Sequence, residues 1–279
     1  MDLKRILILL LLLLAGCDEV ELPYYPPKLV VEGWIEAGGP PVVSITTTVP
    51  VSREPKSIAS LEENIVRWAT VSVSDGEREV FLTGRLKTGY FPPYIYTTSM
   101  LSGEVGKKYT LKVQYSGQTL EAETVVPAPV PLEYVTTEKL KEGNYILKAG
   151  VTDDAATKDY YKFFVKVARK DSLYKPSFMG LMDDEVMTSQ TTEVQVFNGY
   201  NPSSLSTDVQ MHFQEGDRVF VRFCTLCESS YQYWSDYDDV SSLALNPFFP
   251  VTKKIRSNIK GGLGYWAGYG TSYYQIECR

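Results

Sequence analysis

Residue types on which many enzymes and nucleic-acid-binding proteins depend are scarce in this sequence. Histidine occurs once in 279 residues, as His212. A metal site built from several histidines is therefore excluded, and any catalytic triad would have to use His212. Lys and Arg total 28 against 34 Asp and Glu, which gives a net charge of −6. Without a basic excess to neutralise phosphates, we expect no nucleic-acid partner.

Apolar runs long enough to cross a bilayer are also missing. The run Ile6–Leu14 is far shorter than the roughly 20 residues that a membrane-spanning helix needs. It follows Lys4 and Arg5 and ends at small residues before Cys17, which is typical of a secretion signal. We therefore predict that residues 1–16 are a signal peptide and not part of the fold.

The sequence Leu14-Ala15-Gly16-Cys17 resembles the lipobox of bacterial lipoproteins. This resemblance implies cleavage before Cys17 and acylation of that residue, which would hold the protein on a membrane without a spanning helix. The alternative is a plain secretory signal that happens to end in cysteine. Residues 17–27, which are rich in acidic residues and then in proline, would form a lipidated tether.

The acidic stretch Asp18–Glu21 adds an expectation about location. It resembles the export signal that carries lipoproteins to the cell surface in Bacteroidetes-type bacteria, although Asp at this position marks inner-membrane retention elsewhere. We expect the outer membrane, with the protein facing the cell exterior.

Alternation of apolar and polar residues predicts an all-β fold. The segments Tyr109–Tyr115 and Thr119–Val126 alternate strictly on either side of a Ser-Gly turn, as half-buried antiparallel strands do. Repeated runs of this kind predict an immunoglobulin-like or transthyretin-like sandwich over residues 28–128. Alternating prolines at 127, 129 and 131 cannot pair as a central strand, so we place a boundary there, before a second β-rich domain over residues 129–279.

The second half contains one predicted helix and one glycine-rich segment. Aromatic residues at helical spacing predict a short helix over Ser229–Val240. The glycine-rich run Gly261–Gly270 indicates unusual backbone freedom, and its first part, Gly261–Gly264, predicts a tight bend that packs backbone against aromatic residues. Tyr273–Cys278 predicts a final strand.

Several segments together identify a family resemblance. Leu29–Ile35, Gly106–Val113, Ala122–Pro127 and Ser257–Trp266 follow one another in an order that resembles the Bacteroidetes lipoprotein family known as domain of unknown function number 4249. The resemblance implies an outer-membrane lipoprotein, often encoded beside TonB-dependent transporters. It transfers no activity and no catalytic residues.

Three cysteines remain if Cys17 is lipidated. Cys224 and Cys227 form a CxxC motif, and Cys278 is the penultimate residue. We favour a disulfide from Cys224 or Cys227 to Cys278, because the cell envelope permits disulfides. The alternatives are a zinc site completed by His212 and thioredoxin-like redox chemistry, and we expect neither a metal nor a cofactor.

Two acidic clusters offer a different chemistry. Asp183–Glu185 and the group Asp236, Asp238 and Asp239 could supply calcium ligands or a carboxylate pair for hydrolysis. Neither has EF-hand spacing, and solvated loops are the simpler interpretation.

The segment 90–94 is the densest aromatic loop. Tyr90, Phe91 and Tyr94 stand around two prolines and form a candidate binding loop, unless the loop folds onto its own sandwich. The function expected from these features is a non-enzymatic surface lipoprotein that assists, or binds ligands for, a TonB-dependent transport system. A carboxylate-dependent envelope hydrolase and a purely structural or adhesive protein are the alternatives.

Overall fold

The computed structural model describes residues 26–49, 62–154, 157–186, 191–199, 210–244 and 253–279. Cys17, the predicted signal peptide and most of the predicted tether lie outside these ranges. The described residues form sixteen strands, one α-helix and two short 3₁₀ turns, which confirms the predicted all-β class. Among them, no helix combines the length and the apolar character needed to cross a membrane.

Eight strands precede the alternating prolines at 127, 129 and 131, and eight follow them. Those before the prolines are β1 (Leu29–Glu36), β2 (Val42–Thr47), β3 (Thr70–Ser74), β4 (Glu79–Phe81), β5 (Thr83–Leu86), β6 (Tyr94–Thr97), β7 (Lys108–Tyr115) and β8 (Gln118–Val125). Those after them are β9 (Leu132–Lys139), β10 (Asn144–Val151), β11 (Tyr160–Val167), β12 (Lys175–Asp183), β13 (Thr192–Val196), β14 (Phe213–Gln214), β15 (Arg218–Leu226) and β16 (Leu263–Glu277). The helix α1 (Glu228–Ala244) lies between β15 and β16, and the 3₁₀ turns are Lys141–Gly143 and Asp184–Val186.

One eight-stranded sheet joins the two halves of the chain. Its strand order is β12-β11-β15-β16-β1-β2-β6-β5, so each half contributes four strands. The halves meet where β16 pairs in parallel with β1, from Val30 opposite Leu263 to Glu36 opposite Tyr269. The central sheet therefore contains strands from both sides of the boundary predicted between residues 128 and 129.

Two smaller sheets pack on one face of this central sheet, and each encloses a hydrophobic core. The sheet β4-β3-β7-β8 covers side chains such as Val31 and Ile35 of β1. The sheet formed by β9, β10, β13 and β14 covers side chains such as Phe163 of β11 and Phe223 of β15. Since alternate strand residues point to opposite faces, this arrangement leaves the second face of the central sheet free for other contacts. We call that second face the outer face.

The bend predicted over Gly261–Gly264 is shorter in the structure. Strand β16 begins at Leu263, so the turn is restricted to Gly261, with φ of +84°, and Gly262. Within the strand, a Cβ atom at Gly264 would collide with the Val31 carbonyl, and one at Gly268 with the Val125 carbonyl. Gly264 also has a φ of +105°, so both its backbone conformation and the close approach of Val31 require glycine there. At Gly268 the close approach of the neighbouring backbone is the reason.

Asn258 fixes the start of β16. Its side-chain amide donates a hydrogen bond to the Trp266 carbonyl at 2.8 Å, and its side-chain oxygen accepts one from the Trp266 amide at 2.9 Å. The fully buried Trp266 ring in turn donates from Nε1 to the Tyr109 carbonyl at 3.1 Å. Asn258 and Trp266 thus hold the start of the last strand against the N-terminal core.

Candidate functional site

Helix α1 covers part of the outer face with aromatic side chains. The predicted helix over Ser229–Val240 is confirmed, and its observed bounds are Glu228–Ala244. Tyr231 stacks on Tyr160 with ring centroids 4.5 Å apart, and Trp234 meets Phe164 edge-on at 5.2 Å. The spacing of aromatic residues therefore identified the buried face of the helix correctly.

Ion pairs hold the helix on the sheet. The Lys162 ammonium, fully buried on β11, lies 2.8 Å from Asp238 and 5.0 Å from the Trp234 ring centroid. Desolvation lowers the pKa of Lys162 despite the nearby carboxylate. On the other side of the helix, Asp236 accepts hydrogen bonds from the side chain and the backbone of Arg256, and these lower its pKa well below the ordinary aspartate value.

The acidic residues proposed as calcium ligands are thus engaged in other contacts. Asp236 and Asp239 both pair with Lys253, and Asp183 accepts a hydrogen bond from the Tyr231 hydroxyl at 3.3 Å. Within the described ranges, no group of three or more His, Cys, Asp or Glu side chains is arranged to hold a metal ion. Asp236 and Asp183 thus help to fix the helix and its flanking segments, whereas Glu185 is exposed, as the solvated-loop interpretation expects.

Beside the helix, the outer face opens into a cleft of about 380 Å³. We call it the aromatic cleft. It lies over the junction of β1 with β16, so residues from both halves of the chain line it. Its rings include Trp34, Tyr90, Phe164, Tyr233, Tyr265 and Tyr269.

The candidate binding loop contributes two of its three predicted residues to this cleft. Tyr90 and Phe91 line it, and Tyr90 stacks on Trp34 with ring centroids 6.1 Å apart. Tyr94 begins β6 and lies on the opposite face of the sheet, where it packs against the first core and donates to the Arg67 carbonyl. The loop is therefore tied to the sheet through Trp34 and closes one side of the cleft.

Arg222 is buried at one side of the cleft, with 8% of its surface exposed. Its Nε lies 3.6 Å from the Glu36 carboxylate, and its guanidinium lies 5.0–5.8 Å from the ring centroids of Tyr269, Phe164 and Trp34. The Tyr273 hydroxyl donates to Glu36 at 2.9 Å. The charge of Arg222 thus has a counterion and three aromatic neighbours.

Glu32 is the one acidic residue that lines the cleft among the described residues. It projects from β1 between Ser44 on β2 and Tyr265 on β16, its partners in strand register. In the described part of the chain, neither a hydrogen bond nor a salt bridge engages its carboxylate. Desolvation raises the pKa of Glu32 above the ordinary value of 4.5.

Unpartnered polar atoms are concentrated at this cleft. Six buried side-chain nitrogen or oxygen atoms of the described residues have no hydrogen-bond partner. Three of them, Ser44 Oγ and Arg222 Nε and Nη2, belong to cleft residues. Since buried polar groups are nearly always satisfied, such exceptions call for an explanation, and an ordered water or a bound ligand at the cleft would supply one. An aromatic pocket with a few polar groups is the usual form of a small-molecule site.

The cysteine prediction is wrong. Cys224, Cys227 and Cys278 are all unpaired. Cys224 lies opposite Thr271 in the β15–β16 register, whereas Cys278 follows Glu277, which lies opposite Arg218. At about 3.3 Å per strand residue, these ends of the strand pair are roughly 20 Å apart, beyond the reach of a disulfide.

His212 and Cys227 occupy separate places. His212 lies in the bend before β14, away from the cleft lining, while Cys227 immediately precedes α1 and contacts Ser229, Ser230 and Thr124. The structure therefore brings His212 into no cysteine cluster that could hold zinc.

Sequence reasoning missed Glu32 and Arg222 as site residues. One signal was available for Arg222, because a charged residue inside the apolar strand sequence Val219–Leu226 is unusual. Glu32 gave no such signal, since an acidic residue at an alternating strand position ordinarily faces solvent.

Comparisons with known proteins add one clear assignment. No curated protein matches the chain. The crystal structure of chicken CNTN1 FN1-FN3 domains is similar at 14% identity and a TM-score of 0.23, covering 73% of this chain and 62% of that one. A TM-score this low supports no argument about the present fold or function. The family model described as domain of unknown function (DUF4249) matches residues 18–275, and the chain belongs to this family.

Proposed function

We propose that this protein is a non-enzymatic, lipid-anchored binding protein of the bacterial outer membrane, which holds a small molecule in its aromatic cleft. The observation that carries the proposal is the cleft itself. It combines about 380 Å³ of space, walls of aromatic rings and the Glu32 carboxylate, which no hydrogen bond or salt bridge of the described residues engages. These are the properties that allow a ligand to gain both apolar contact and hydrogen bonds.

The proposed location and partner rest on the sequence. The Leu-Ala-Gly-Cys motif supports acylation at Cys17, and the acidic residues after it support display on the cell surface. The family resemblance supports association with a TonB-dependent transporter. In this proposal the protein presents its bound ligand to the transporter.

The test isolates the full-length protein from its own membranes in mild detergent. Mass spectrometry identifies both the proteins and the small molecules that co-purify with it. We expect a TonB-dependent barrel at matching stoichiometry and a small molecule enriched with the wild-type chain. A Tyr90→Ala variant should lose the small molecule, because Tyr90 closes the cleft through its stack on Trp34.

The matched control is Tyr134→Ala, since Tyr134 is an exposed tyrosine that pairs with Glu193 on a distant sheet. It should retain the small molecule. If the Tyr90→Ala variant and the wild type carried equal amounts of the small molecule, the aromatic cleft would not be its binding site. A clean monomer would contradict the stable transporter complex.

A further inference from the structure

The charges at the aromatic cleft are not balanced. Arg222 has Glu36 as a counterion, and Lys162 beneath the helix has Asp238. Glu32 has no counterion among the described residues, although it lies in a largely apolar lining. Glu32 is half-buried, and a carboxylate held in an apolar lining without a partner is costly. An open cleft allows a cation from outside the chain to pair with it.

Aromatic rings surround this carboxylate on three elements. Tyr265 is its register partner on β16, and Trp34 follows two residues later on the same face of β1. Tyr233 reaches over from α1, where its ring centroid lies 4.3 Å from that of Tyr265. Electron-rich ring faces beside a carboxylate are the arrangement that attracts organic ammonium groups.

We infer that the aromatic cleft binds an organic cation, with its ammonium group between Glu32 and the rings of Trp34, Tyr233 and Tyr265. This inference rests on the proposed function, because it names the chemical class of the ligand that the cleft would hold. The ammonium supplies the counterion that Glu32 lacks. The ring faces give up part of their contact with each other and contact the cation instead.

An anionic ligand fits the cleft less well. The obvious anchor for an anion is Arg222. However, the two guanidinium nitrogens that make no hydrogen bond, Nε and Nη2, have almost no accessible surface. An anion would have to displace surrounding side chains to reach them, and it would also meet the uncompensated charge of Glu32. The accessible charge in the cleft is therefore negative.

Three small molecules of nearly identical shape separate these possibilities. Choline carries a quaternary ammonium, 3,3-dimethylbutan-1-ol is its neutral isostere, and 3,3-dimethylbutanoate carries a negative charge. Isothermal titration calorimetry on the full-length protein in detergent measures each affinity. We expect choline to bind about tenfold more tightly than the alcohol, in line with the strength of cation–π and ion-pair contacts in partly buried sites. The carboxylate should bind most weakly.

The Glu32→Gln variant tests the residue directly, since it keeps the shape of the side chain and removes the charge. We expect its preference for choline over the alcohol to fall severalfold, because the aromatic rings alone then favour the cation. Glu121→Gln on the exposed side of β8 is the matched control and should keep the tenfold preference. Equal binding of choline and the alcohol by the wild type would overturn the inference, even if the Glu32 variant failed to fold.

Other outcomes separate this inference from the proposed function. Tightest binding by the carboxylate, or a choline preference that is undiminished in Glu32→Gln, would overturn the inferred pairing of a cation with Glu32 and leave the cleft as a ligand site. Absence of binding by all three probes would also overturn it. A small molecule that still co-purified in a Tyr90-dependent way would then keep the broader proposal intact.

Discussion

The guanidinium of Arg222 lies 3.6 Å from the carboxylate of Glu36, and the Tyr273 hydroxyl donates to that carboxylate from the neighbouring strand. The pair links β15 to β1 across β16, and therefore links the two halves of the molecule beneath the cleft. Because Arg222 is buried, its charge depends on Glu36 for compensation.

Removal of this counterion should weaken the whole fold. We expect Glu36→Gln to lower the free energy of unfolding by about 2–3 kcal/mol, since it leaves a buried charge without a partner. Tyr273→Phe removes only a hydrogen bond to Glu36 and should cost about 1 kcal/mol. Urea denaturation of both variants measures the difference, and equal effects would contradict the assigned role of the ion pair.

Glu32 should have the opposite effect on stability. Desolvation raises its pKa in the folded protein, so the folded state binds a proton more readily than the unfolded chain does. This residue therefore opposes folding at a pH above its raised pKa, and the penalty disappears as the pH falls below the ordinary value of 4.5. We expect Glu32→Gln to stabilise the protein by about 1 kcal/mol at neutral pH.

The pH dependence provides the control for this prediction. The other titratable groups of the cleft are Arg222, which stays charged, and tyrosine hydroxyls. Burial raises the pKa above 10.0 for Tyr90, Tyr174, Tyr233, Tyr265 and Tyr269. The stability difference between wild type and Glu32→Gln should therefore shrink towards about pH 4, where carboxyl groups are protonated in both states. A difference that persists at low pH would assign the effect to packing.

Asn258 makes a separate contribution to the fold. The Asn258→Ala variant loses both hydrogen bonds to the Trp266 backbone and frees the start of β16. We expect a loss of about 2 kcal/mol in the free energy of unfolding. Asn144→Ala, which removes one side-chain bond to Gln214, is the matched control and should cost less than half as much. Comparable losses would show that Asn258 has no special role.

The three unpaired thiols should react at different rates. Burial opposes ionisation of Cys227, but hydrogen bonds from Ser229, Ser230 and Thr124 outweigh it and lower the pKa of this thiol. Burial raises the pKa of Cys278 to about 11 and also raises that of Cys224. Because the thiolate is the reactive species, iodoacetamide should modify Cys227 first under native conditions.

Peptide mapping without reduction measures this order. The account predicts three alkylated cysteine peptides, with Cys227 modified fastest and the other two reacting only on unfolding. Recovery of a peptide in which a disulfide joins Cys278 to Cys224 or Cys227 would contradict the register of β15 with β16.

Local patterns in the sequence predicted the elements of the fold better than their assembly. Alternation identified strands such as Tyr109–Tyr115, because one face of each strand packs on a core. The parallel pairing of β16 with β1 joins opposite ends of the chain, and no local pattern records it. The same is true of the cleft, because Glu32 on β1 and Arg222 on β15 line one cavity only through that pairing.

The candidate loop shows where local chemistry suffices. Tyr90 and Phe91 were identified because they precede two consecutive prolines, which marks a loop, and both line the cleft. Tyr94 adjoins the same two prolines, but it is the first residue of β6, and its ring packs against the first core. The direction of a side chain at a strand edge follows from register, which depends on the partner strand.

A crystal structure of the protein soaked with choline would test the central claim most directly. The account predicts density for the trimethylammonium group in the aromatic cleft, in contact with the Glu32 carboxylate and the rings of Trp34 and Tyr265. An empty cleft at a choline concentration that saturates the protein in solution would contradict it, as would density beside Arg222 with Glu32 uncontacted.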